Sequence, residues 1–356
     1  MKPVILSSYN NADHIRYNLE MFKTFGYEIR VFKFLNKDFF KKSSRFVYLN
    51  WYENIETDKP GAISVFLKFL MKVFTLRYMQ FSNLKIITSF HNKEAHAKLA
   101  PALAKYIFKL VLKVSDRIVV FNKCGFKDLE RYLSKEEIEC KAVLVPAVNY
   151  IGHYPYVKHD WITDIQSKPQ MKILFAGRMN QPYKNVPMMM EIARELQDKN
   201  ILFVFAGNAK EYKTEYMALT NGLKNVVAEF RFVEDNEMAQ LLEMCDAMIV
   251  PYNVESISNS GTVRLAFSYA RTVICPDIPF LEDIPHDLIF TYNYKDHADH
   301  KLQLKKVILE AYKDWQTDSE SLNKKGESLK HIMEECNSPE VIKEKYNIIF
   351  NQLNNK

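Results

Sequence analysis

Two cations follow an apolar run near the middle of the chain. Residues Met171–Ala176 (MKILFA) have the pattern of a buried strand, and Arg178 and Lys184 stand six positions apart just after Gly177. Guanidinium and ammonium groups are typical partners of phosphate oxygens, and ligands of open parallel sheets collect at the carboxyl ends of strands. The spacing therefore predicts a diphosphate site; the alternative is that both cations are solvated loop residues.

A second segment that suits a phosphate follows another apolar run, residues 247–251. Small, hydroxyl-bearing residues open a helical pattern there, and the N–H groups at a helix N-terminus attract anions. Glu255 is a candidate for binding a ligand hydroxyl, or is a plain loop acid. The residues expected to hold phosphate are Ser260, Gly261 and Thr262.

Short apolar runs alternate with helical patterns along the chain, which predicts an α/β protein with parallel sheets covered by helices. The runs are residues 4–7, 27–34, 46–50, 85–90, 117–121, 142–145, 172–176, 202–206, 226–230, 247–250, 273–275 and 288–290. We expect two Rossmann-like domains, at residues 1–155 and 165–335, joined by a Pro- and Gly-bearing connector. A helix over residues 338–353 is expected to pack back on the N-terminal domain.

Composition narrows the classes of protein to consider. The length of 356 residues exceeds the usual range for one core. The five cysteines show no C-x-x-C spacing and the histidines lack ligand spacing, so we expect neither disulfides nor a metal. No apolar stretch has the length of a bilayer span and the N-terminal run is too short for a secretory signal. We expect a cytoplasmic protein, soluble or bound to a membrane surface.

With the strands placed, the C-terminal half resembles the donor-binding domain of GT-B glycosyltransferases, in particular the large retaining group that uses nucleotide sugars. In that group a strand ends in Gly-Arg and a Lys follows in the next loop, as in AGRMNQPYKN here. The resemblance implies two Rossmann-like domains facing across a cleft, with donor diphosphate and nucleobase bound by the second. The donor-binding residues that it implies are Gly177, Arg178, Lys184, Asn208, Phe232 and Val233.

The N-terminal half resembles the acceptor-side domain of the same enzymes. The segment SFHN is similar to a loop whose histidine faces the transferred sugar, so His91 is expected to contact the sugar or to orient an acceptor hydroxyl, with Asn92 beside it. A lone histidine is also commonly structural. The group's glycine-rich loop after the first strand is missing, and we expect Tyr9, Asn10 and Asn11 to close over donor or acceptor instead.

One departure from the group concerns the donor ribose. The group carries two glutamates separated by seven residues, and Leu265 stands where the second belongs. Glu255 stands two residues before the first position. We interpret the chain as a divergent subgroup that binds phosphate through Ser260, Thr262 and backbone N–H groups.

The resemblance implies transfer of a sugar from a nucleotide donor, with UDP as the default nucleotide and GDP open. Cleavage leaves negative charge on the diphosphate, which Arg178 and Lys184 would neutralise in place of a metal, and no cofactor is expected. The resemblance also implies retention of the anomeric configuration, with the donor phosphate accepting the acceptor's proton. An inverting reaction would need His91 or Asp13 as a base.

The N-terminal half is basic. Residues 1–165 carry 26 Lys and Arg against 16 Asp and Glu, a net charge of +10, whereas the remainder carries −4. Residues 63–81 and 99–114 each mix lysines with large apolar side chains, so each helix could rest on anionic lipid or could cover a sheet. We favour membrane contact for 63–81 and sheet covering for 99–114. A glycan or polyprenyl-linked acceptor would suit such a surface.

The resulting prediction is a hexosyltransferase of surface polysaccharide biosynthesis. A nucleotide-sugar epimerase of the same fold would need acids at the interdomain cleft instead of an acceptor surface. A degenerate GT-B subunit that binds a partner transferase is suggested by Leu265 and the missing glycine loop. Nucleic acid is not expected as a partner, since no recognition motif accompanies the lysines.

Overall fold

The computed structural model describes residues 2–8, 12–55, 61–82, 84–91, 93–94, 99–254 and 260–355. The chain divides into two compact units. Unit 1 comprises Met1–Val148 and Pro339–Lys356, and unit 2 comprises Asn149–Ser338. Within the described residues, none of the helices combines the length and the hydropathy that a bilayer crossing requires.

The described residues form a regular succession of strands and helices. The strands are β1 (Val4–Ser8), β2 (Glu28–Phe32), β3 (Ser44–Leu49), β4 (Lys85–Ser89), β5 (Arg117–Val120), β6 (Ala142–Leu144), β7 (Met171–Ala176), β8 (Ile201–Ala206), β9 (Val226–Glu229), β10 (Ala247–Ile249), β11 (Thr272–Pro276) and β12 (Phe290–Tyr292). The helices are α1 (Asp13–Thr24), α2 (Ala62–Phe81), α3 (Pro101–Val114), α4 (Cys124–Leu129), α5 (Lys135–Lys141), α6 (Asp160–Gln166), α7 (Val186–Glu195), α8 (Lys213–Thr220), α9 (Asp235–Met244), α10 (Gly261–Ser268), α11 (His297–Thr317), α12 (Ser321–Cys336) and α13 (Pro339–Asn354).

Each unit contains one parallel six-stranded sheet. The strand order is β2-β1-β3-β4-β5-β6 in unit 1 and β12-β11-β10-β7-β8-β9 in unit 2. In unit 1, β2 lies on one side of β1 and the later strands lie on the other. In unit 2, β8 and β9 lie on one side of β7 and the later strands lie on the other. This creates a topological switch point, where ligands of open parallel sheets bind. We call the carboxyl ends of β1 and β3 switch point 1, and those of β7 and β10 switch point 2.

The strands beside switch point 2 are apolar on both faces. Every residue of β8 (ILFVFA) is buried, and only one residue of β7 is not. This is the pattern of central strands covered by helices on both sides. The pairing runs from Met171 with Ile201 to Ala176 with Ala206, so the two strands end level and the residues after them lie side by side.

The predicted α/β fold of two parallel sheets is confirmed. Each of the twelve apolar runs overlaps a strand of the described chain. The run at 288–290 is the least accurate, because His286–Leu288 forms a 3-10 turn and the strand begins only at Phe290.

The C-terminal helix α13 contributes to the core of unit 1. Its buried face packs among the residues that cover β1 and β3. Tyr346, on this face, accepts a hydrogen bond at its hydroxyl from Asn18 Nδ2 at 3.1 Å and lies 3.1 Å from the Tyr48 hydroxyl. A buried hydroxyl needs such partners, so the pair of tyrosines fixes how the helix sits on the sheet.

Candidate active site

Two glycines allow the backbone to turn closely after β7 and β8. Gly177 has φ +107°, a conformation that favours glycine, and donates its N–H to Ala206 O at 3.0 Å. A methyl group added at Gly207 would lie 1.8 Å from Gly177 O, so only glycine fits there. The Met179 N–H donates to Asn208 O at 2.9 Å and continues this pairing beyond the strands. The cationic segment thus starts from a fixed backbone.

Lys184 is a buried cation at switch point 2. It ends the 3-10 turn Pro182–Lys184, is 7% exposed, and holds Nζ 5.0 Å from the ring centroid of Tyr252. Burial lowers the pKa of Lys184, and the positive charge of Arg178 lowers it further, whereas Tyr183 opposes the shift. The positive charge of Arg178 therefore disfavours the charged form of Lys184, and an anionic ligand would stabilise both cations.

No carboxylate of the described residues forms an ion pair with Arg178 or Lys184. Arg178 is exposed, so its guanidinium is accessible to a ligand. A buried ammonium without a counterion costs free energy. Structural ion pairing therefore does not explain Lys184.

Asn185 connects the loops that follow β7 and β10. Its φ of 53° is left-handed, a conformation that asparagine tolerates better than most residues. Its Nδ2 donates to Pro251 O at 2.7 Å and to Asn253 Oδ1 at 2.8 Å, and the Asn253 N–H donates to Tyr183 O at 2.9 Å. The two sides of switch point 2 are therefore braced by hydrogen bonds. Sequence reasoning missed Asn185, for which the Lys-Asn pair before a helix was the available signal.

The start of α10 lies on the other side of this brace. Ser260 is the N-cap, and its Oγ accepts a hydrogen bond from the Val263 N–H at 3.2 Å. The Thr262 hydroxyl lies 3.3 Å from the hydroxyl of Tyr252, the tyrosine whose ring approaches Lys184. The structure therefore brings Gly177, Lys184 and Thr262 to one site in unit 2.

The residues expected at the nucleobase differ in exposure. Phe232 is 62% exposed whereas Val233 is buried. Neighbouring Arg231 donates to both carboxylate oxygens of Glu237, at 2.8 and 2.6 Å, and lowers the pKa of that acid to about 2. This ion pair fixes the segment 231–233 to the start of α9. Asn208 uses its Oδ1 locally, as an acceptor for the Lys210 N–H at 2.9 Å.

His91 lies in unit 1, at the carboxyl end of β4. It is buried, stacks on Trp51 at 3.8 Å between ring centroids, and approaches His14 at 5.2 Å. Its Nε2 lies 2.9 Å from the Asn50 side-chain amide. Burial lowers the pKa of His91 and the charge of His14 lowers it further, so the imidazole is neutral at physiological pH.

Glu53 is a buried acid beside His91 that sequence reasoning missed. Both residues line a cavity of about 10 Å³, the space of roughly one water. Burial raises the pKa of Glu53 to about 7, and the charge of Lys72 opposes this shift. The only available signal was its position four residues after β3.

Several predicted site residues lie outside the described residues. They are Tyr9, Asn10, Asn11, Asn92 and Glu255. Asp13 opens α1, but its side chain is likewise outside the description.

Residues 170–302 match the family model described as "Glycosyl transferases group 1". Two curated relatives, both described as GDP-mannose:glycolipid 4-beta-D-mannosyltransferase from Xanthomonas campestris, are 27% identical over 129 residues and 26% identical over 149 residues. These alignments cover 35% and 40% of this chain and 35% and 41% of the relatives. The chain thus spans well under half the length of the curated relatives it matches.

Solved structures resemble the chain over nearly its whole length. Sucrose-phosphate synthase from Thermosynechococcus elongatus has a TM-score of 0.71 at 13% identity and covers 99% of both chains. A glycosyltransferase from Rickettsia africae also scores 0.71 at 13% identity, over 99% of this chain and 98% of that one. Anabaena HepE in complex with UDP scores 0.67 at 10% identity, over 99% and 100%. Residues 170–302 therefore match the group 1 glycosyl transferase model, and the chain as a whole has the GT-B fold.

Proposed function

We propose that the protein is a glycosyltransferase that moves a hexosyl group from a nucleoside-diphosphate sugar to a glycan or lipid-linked acceptor in surface polysaccharide biosynthesis. The observation that carries this proposal is that Arg178 and buried Lys184 both follow β7 at switch point 2, and that neither has a carboxylate partner among the described residues. Cations held together in this way are prepared for a polyanion and destabilised without one.

The two cations would act on the leaving group. Breaking the bond from the anomeric carbon to phosphate leaves charge on the diphosphate, and fixed positive groups stabilise that charge as it develops. Loss of one such group typically costs about 3 kcal/mol of barrier, or roughly a hundredfold in rate. We infer that no divalent metal or other cofactor is needed, because Arg178 and Lys184 supply the neutralising charge.

The donor nucleotide is proposed to be UDP, with GDP as the alternative. The exposed ring of Phe232 and the fixed backbone beside it offer a surface for either base. The curated relatives are named for GDP-mannose, which makes this sugar nucleotide the first competitor to assay. We also propose retention of configuration, with the donor phosphate taking the acceptor's proton.

The central test compares Arg178→Ala with Arg194→Ala, a change at an exposed arginine of α7. Transfer would be measured with UDP-sugars and GDP-mannose, with and without EDTA. We expect Arg178→Ala to reduce turnover at least about a hundredfold with the melting temperature unchanged. Arg194→Ala and EDTA should leave turnover intact. Wild-type turnover in Arg178→Ala would remove this arginine from the site.

Product analysis tests the stereochemistry. NMR of the purified product reports the anomeric configuration of the new bond. The same configuration as the donor supports retention. The opposite configuration would contradict it and would require a base on the acceptor side, where His91 is a candidate.

The acceptor is proposed to reach the enzyme at an anionic membrane surface, the cytoplasmic leaflet. α2 buries one side in the core of unit 1 but exposes large apolar side chains on the other. The exposed residues are Ile63, Phe66, Leu67, Leu70, Met71, Phe74 and Phe81. Exposed apolar patches of this kind mark interaction surfaces.

Charge complementarity points to anionic lipid as the occupant. α3 buries its apolar face and exposes Lys105, Lys109 and Lys113, and the Phe69 and Tyr106 rings of α2 and α3 lie 5.7 Å apart. Lysines beside an apolar face are attracted to anionic headgroups. Lys72 is an exception, because its Nζ donates to Tyr52 O at 2.8 Å.

Vesicle sedimentation tests this surface. We expect the wild type to bind phosphatidylglycerol vesicles better than phosphatidylcholine vesicles, and Phe66→Glu combined with Phe74→Glu to abolish the binding. Leu302→Glu changes an exposed leucine of α11 and is the matched control. Equal binding by the double variant would exclude α2 as the contact surface.

A further inference from the structure

Arg264 is a buried arginine in the first turns of α10. It is 6% exposed, and no carboxylate of the described residues pairs with it. Its Nε has no hydrogen-bond partner, and its guanidinium carbon lies 5.6 Å from the ring centroid of Tyr150. Burial lowers the pKa of Arg264, with the Tyr150 hydroxyl opposing the shift. The guanidinium of Arg264 is thus buried away from water, and Tyr150 is the main neighbour that stabilises its charge.

The guanidinium points back to the start of its own helix. Side chains on a helix lean toward its N-terminus. A methyl group added at Gly261, the first residue of α10, would lie 4.0 Å from Arg264 Nη2 and 3.5 Å from Tyr150 Oη. The cation therefore lies beside the end of the helix where the backbone dipole is also positive.

This placement opposes the usual preference of helices. Acidic residues are favoured in a first turn, and α10 has none there. Without a bound anion, the buried cation and the positive helix end repel each other, and this repulsion costs free energy. An anion bound between them would be stabilised by both.

Two other arginines of unit 2 show ordinary structural roles. Arg231 pairs with Glu237 and Glu229. Arg271 donates to Cys245 O at 2.9 Å, to Asn323 Oδ1 at 2.6 Å and to Tyr269 O at 3.0 Å. Arg264 differs from both, since it is buried with an Nε that has no hydrogen-bond partner.

We propose that Arg264 is a third cation of the donor site and binds a phosphate oxygen of the sugar nucleotide together with the backbone amides at the start of α10. The proposal rests on the proposed function, because it takes the same diphosphate as ligand. Arg264 Nη2 lies beside Gly261, and the next residue, Thr262, lies against Tyr252, whose ring approaches Lys184. The guanidinium of Arg264 and the ammonium of Lys184 are thus connected through the start of α10.

The proposal explains why residue 261 is a glycine. Its conformation is one that other residues can adopt, and an added methyl would meet only ordinary contacts. A side chain there would nevertheless occupy the space between the helix end and the guanidinium. Gly261→Ala is therefore expected to weaken phosphate binding while the fold is kept.

Calorimetric titration of the full chain with UDP, GDP and inorganic pyrophosphate tests Arg264. We expect Arg264→Met to weaken binding of all three at least about tenfold, and to leave uridine and guanosine binding unchanged. The melting temperature of the ligand-free protein should stay equal or rise, because a buried unpaired charge is removed. Arg271→Met is the matched control and should lower the melting temperature without changing pyrophosphate affinity.

The outcomes separate this inference from the proposed function. If the wild type binds pyrophosphate and both nucleotides but Arg264→Met and Gly261→Ala bind them equally well, the inference is wrong and the proposed function stands. A lower melting temperature in Arg264→Met with pyrophosphate affinity unchanged would identify a structural arginine and also overturn it. If the wild type binds no nucleotide or pyrophosphate, the proposed function fails together with the inference.

Discussion

The carboxyl edges of the two sheets occupy equivalent positions but present opposite chemistry. The edge of the unit 2 sheet carries Arg178 and buried Lys184, with buried Arg264 in the helix that follows β10, and no carboxylate of the described residues pairs with them. The carboxyl edge of the unit 1 sheet carries neutral His91 stacked on Trp51. The same topology is therefore equipped for a polyanion in one unit and for an uncharged ring in the other.

Under the proposed function, this difference matches what the leaving group and the acceptor each require. A leaving diphosphate needs positive charge fixed before the bond breaks. A sugar ring or an acceptor hydroxyl is better served by aromatic surfaces and by a neutral imidazole that can donate and accept. The fold supplies equivalent sites, and the side chains decide which ligand each one takes.

Gly207→Ala should have the largest effect, because it would disrupt the close backbone contact after β7 and β8. The added methyl would lie 1.8 Å from Gly177 O, a backbone atom that cannot move aside cheaply. We expect a loss of about 3 kcal/mol or more of unfolding free energy, together with transfer activity. Chemical denaturation measures it, with Gly61→Ala as control because nothing lies within 4 Å of a methyl group there. Equal stability of the two variants would contradict the close approach of the strand ends.

Lys184→Met tests the buried ammonium itself. Turnover should fall roughly a hundredfold, whereas stability should stay equal or rise because a desolvated charge is replaced by an apolar side chain of similar length. Steady-state kinetics and thermal melting measure both effects. Lys199→Met, at a half-buried lysine paired with Asp198, should change neither. A fall in stability with normal turnover would make Lys184 a structural residue.

Glu53→Gln tests the acid near His91 through pH. The folded pKa of about 7 lies above the unfolded value of 4.5, so the folded state binds more protons between these values and stability falls as pH rises through this window. As pH rises from 5 to 8, we expect the wild type to lose about 2 kcal/mol of unfolding free energy that Glu53→Gln keeps. Urea denaturation at pH 5 and pH 8 measures it. Parallel pH dependence in wild type and variant would show that Glu53 ionises normally.

His91→Phe should give the smallest effect and would sharpen the contrast between the carboxyl edges of the two sheets. The ring stack on Trp51 is kept but the hydrogen bond to Asn50 is lost. We expect turnover to fall about tenfold with UDP or GDP affinity unchanged, as for a group that contacts the transferred sugar or the acceptor. His300→Phe is the matched control, since His300 is also buried, stacked on Tyr294 at 3.9 Å. Unchanged turnover in His91→Phe would leave this histidine a structural role.

Local patterns were sufficient for the elements and for the position of the two cations after β7. Runs such as ILFVFA indicate strands buried on both faces, and Gly-Arg after such a run is recognisable because position along the chain fixes position at the sheet edge. Residues whose importance depends on neighbours distant in sequence were not recognisable. Glu53 and Arg264 look like ordinary surface charges in the sequence, and only their burial makes them unusual.

The helix α2 illustrates the same limit. The apolar content of residues 63–81 was visible, but a helix that covers a sheet has similar content. Only the structure gives the exposure of each side chain: α2 exposes Phe66 and Phe74, whereas α3 buries Ile107 and Val111.

The sequence alone determined the succession of parallel strands, the division of charge between the two halves and the two cations after β7, because these depend on spacing along the chain. The tertiary structure decided which charges are desolvated, how Asn185 braces the loops of switch point 2, and that the guanidinium of Arg264 returns to its own helix N-terminus. Burial and electrostatic environment are produced by residues far apart in sequence, so they exist only once the sheets and helices have packed.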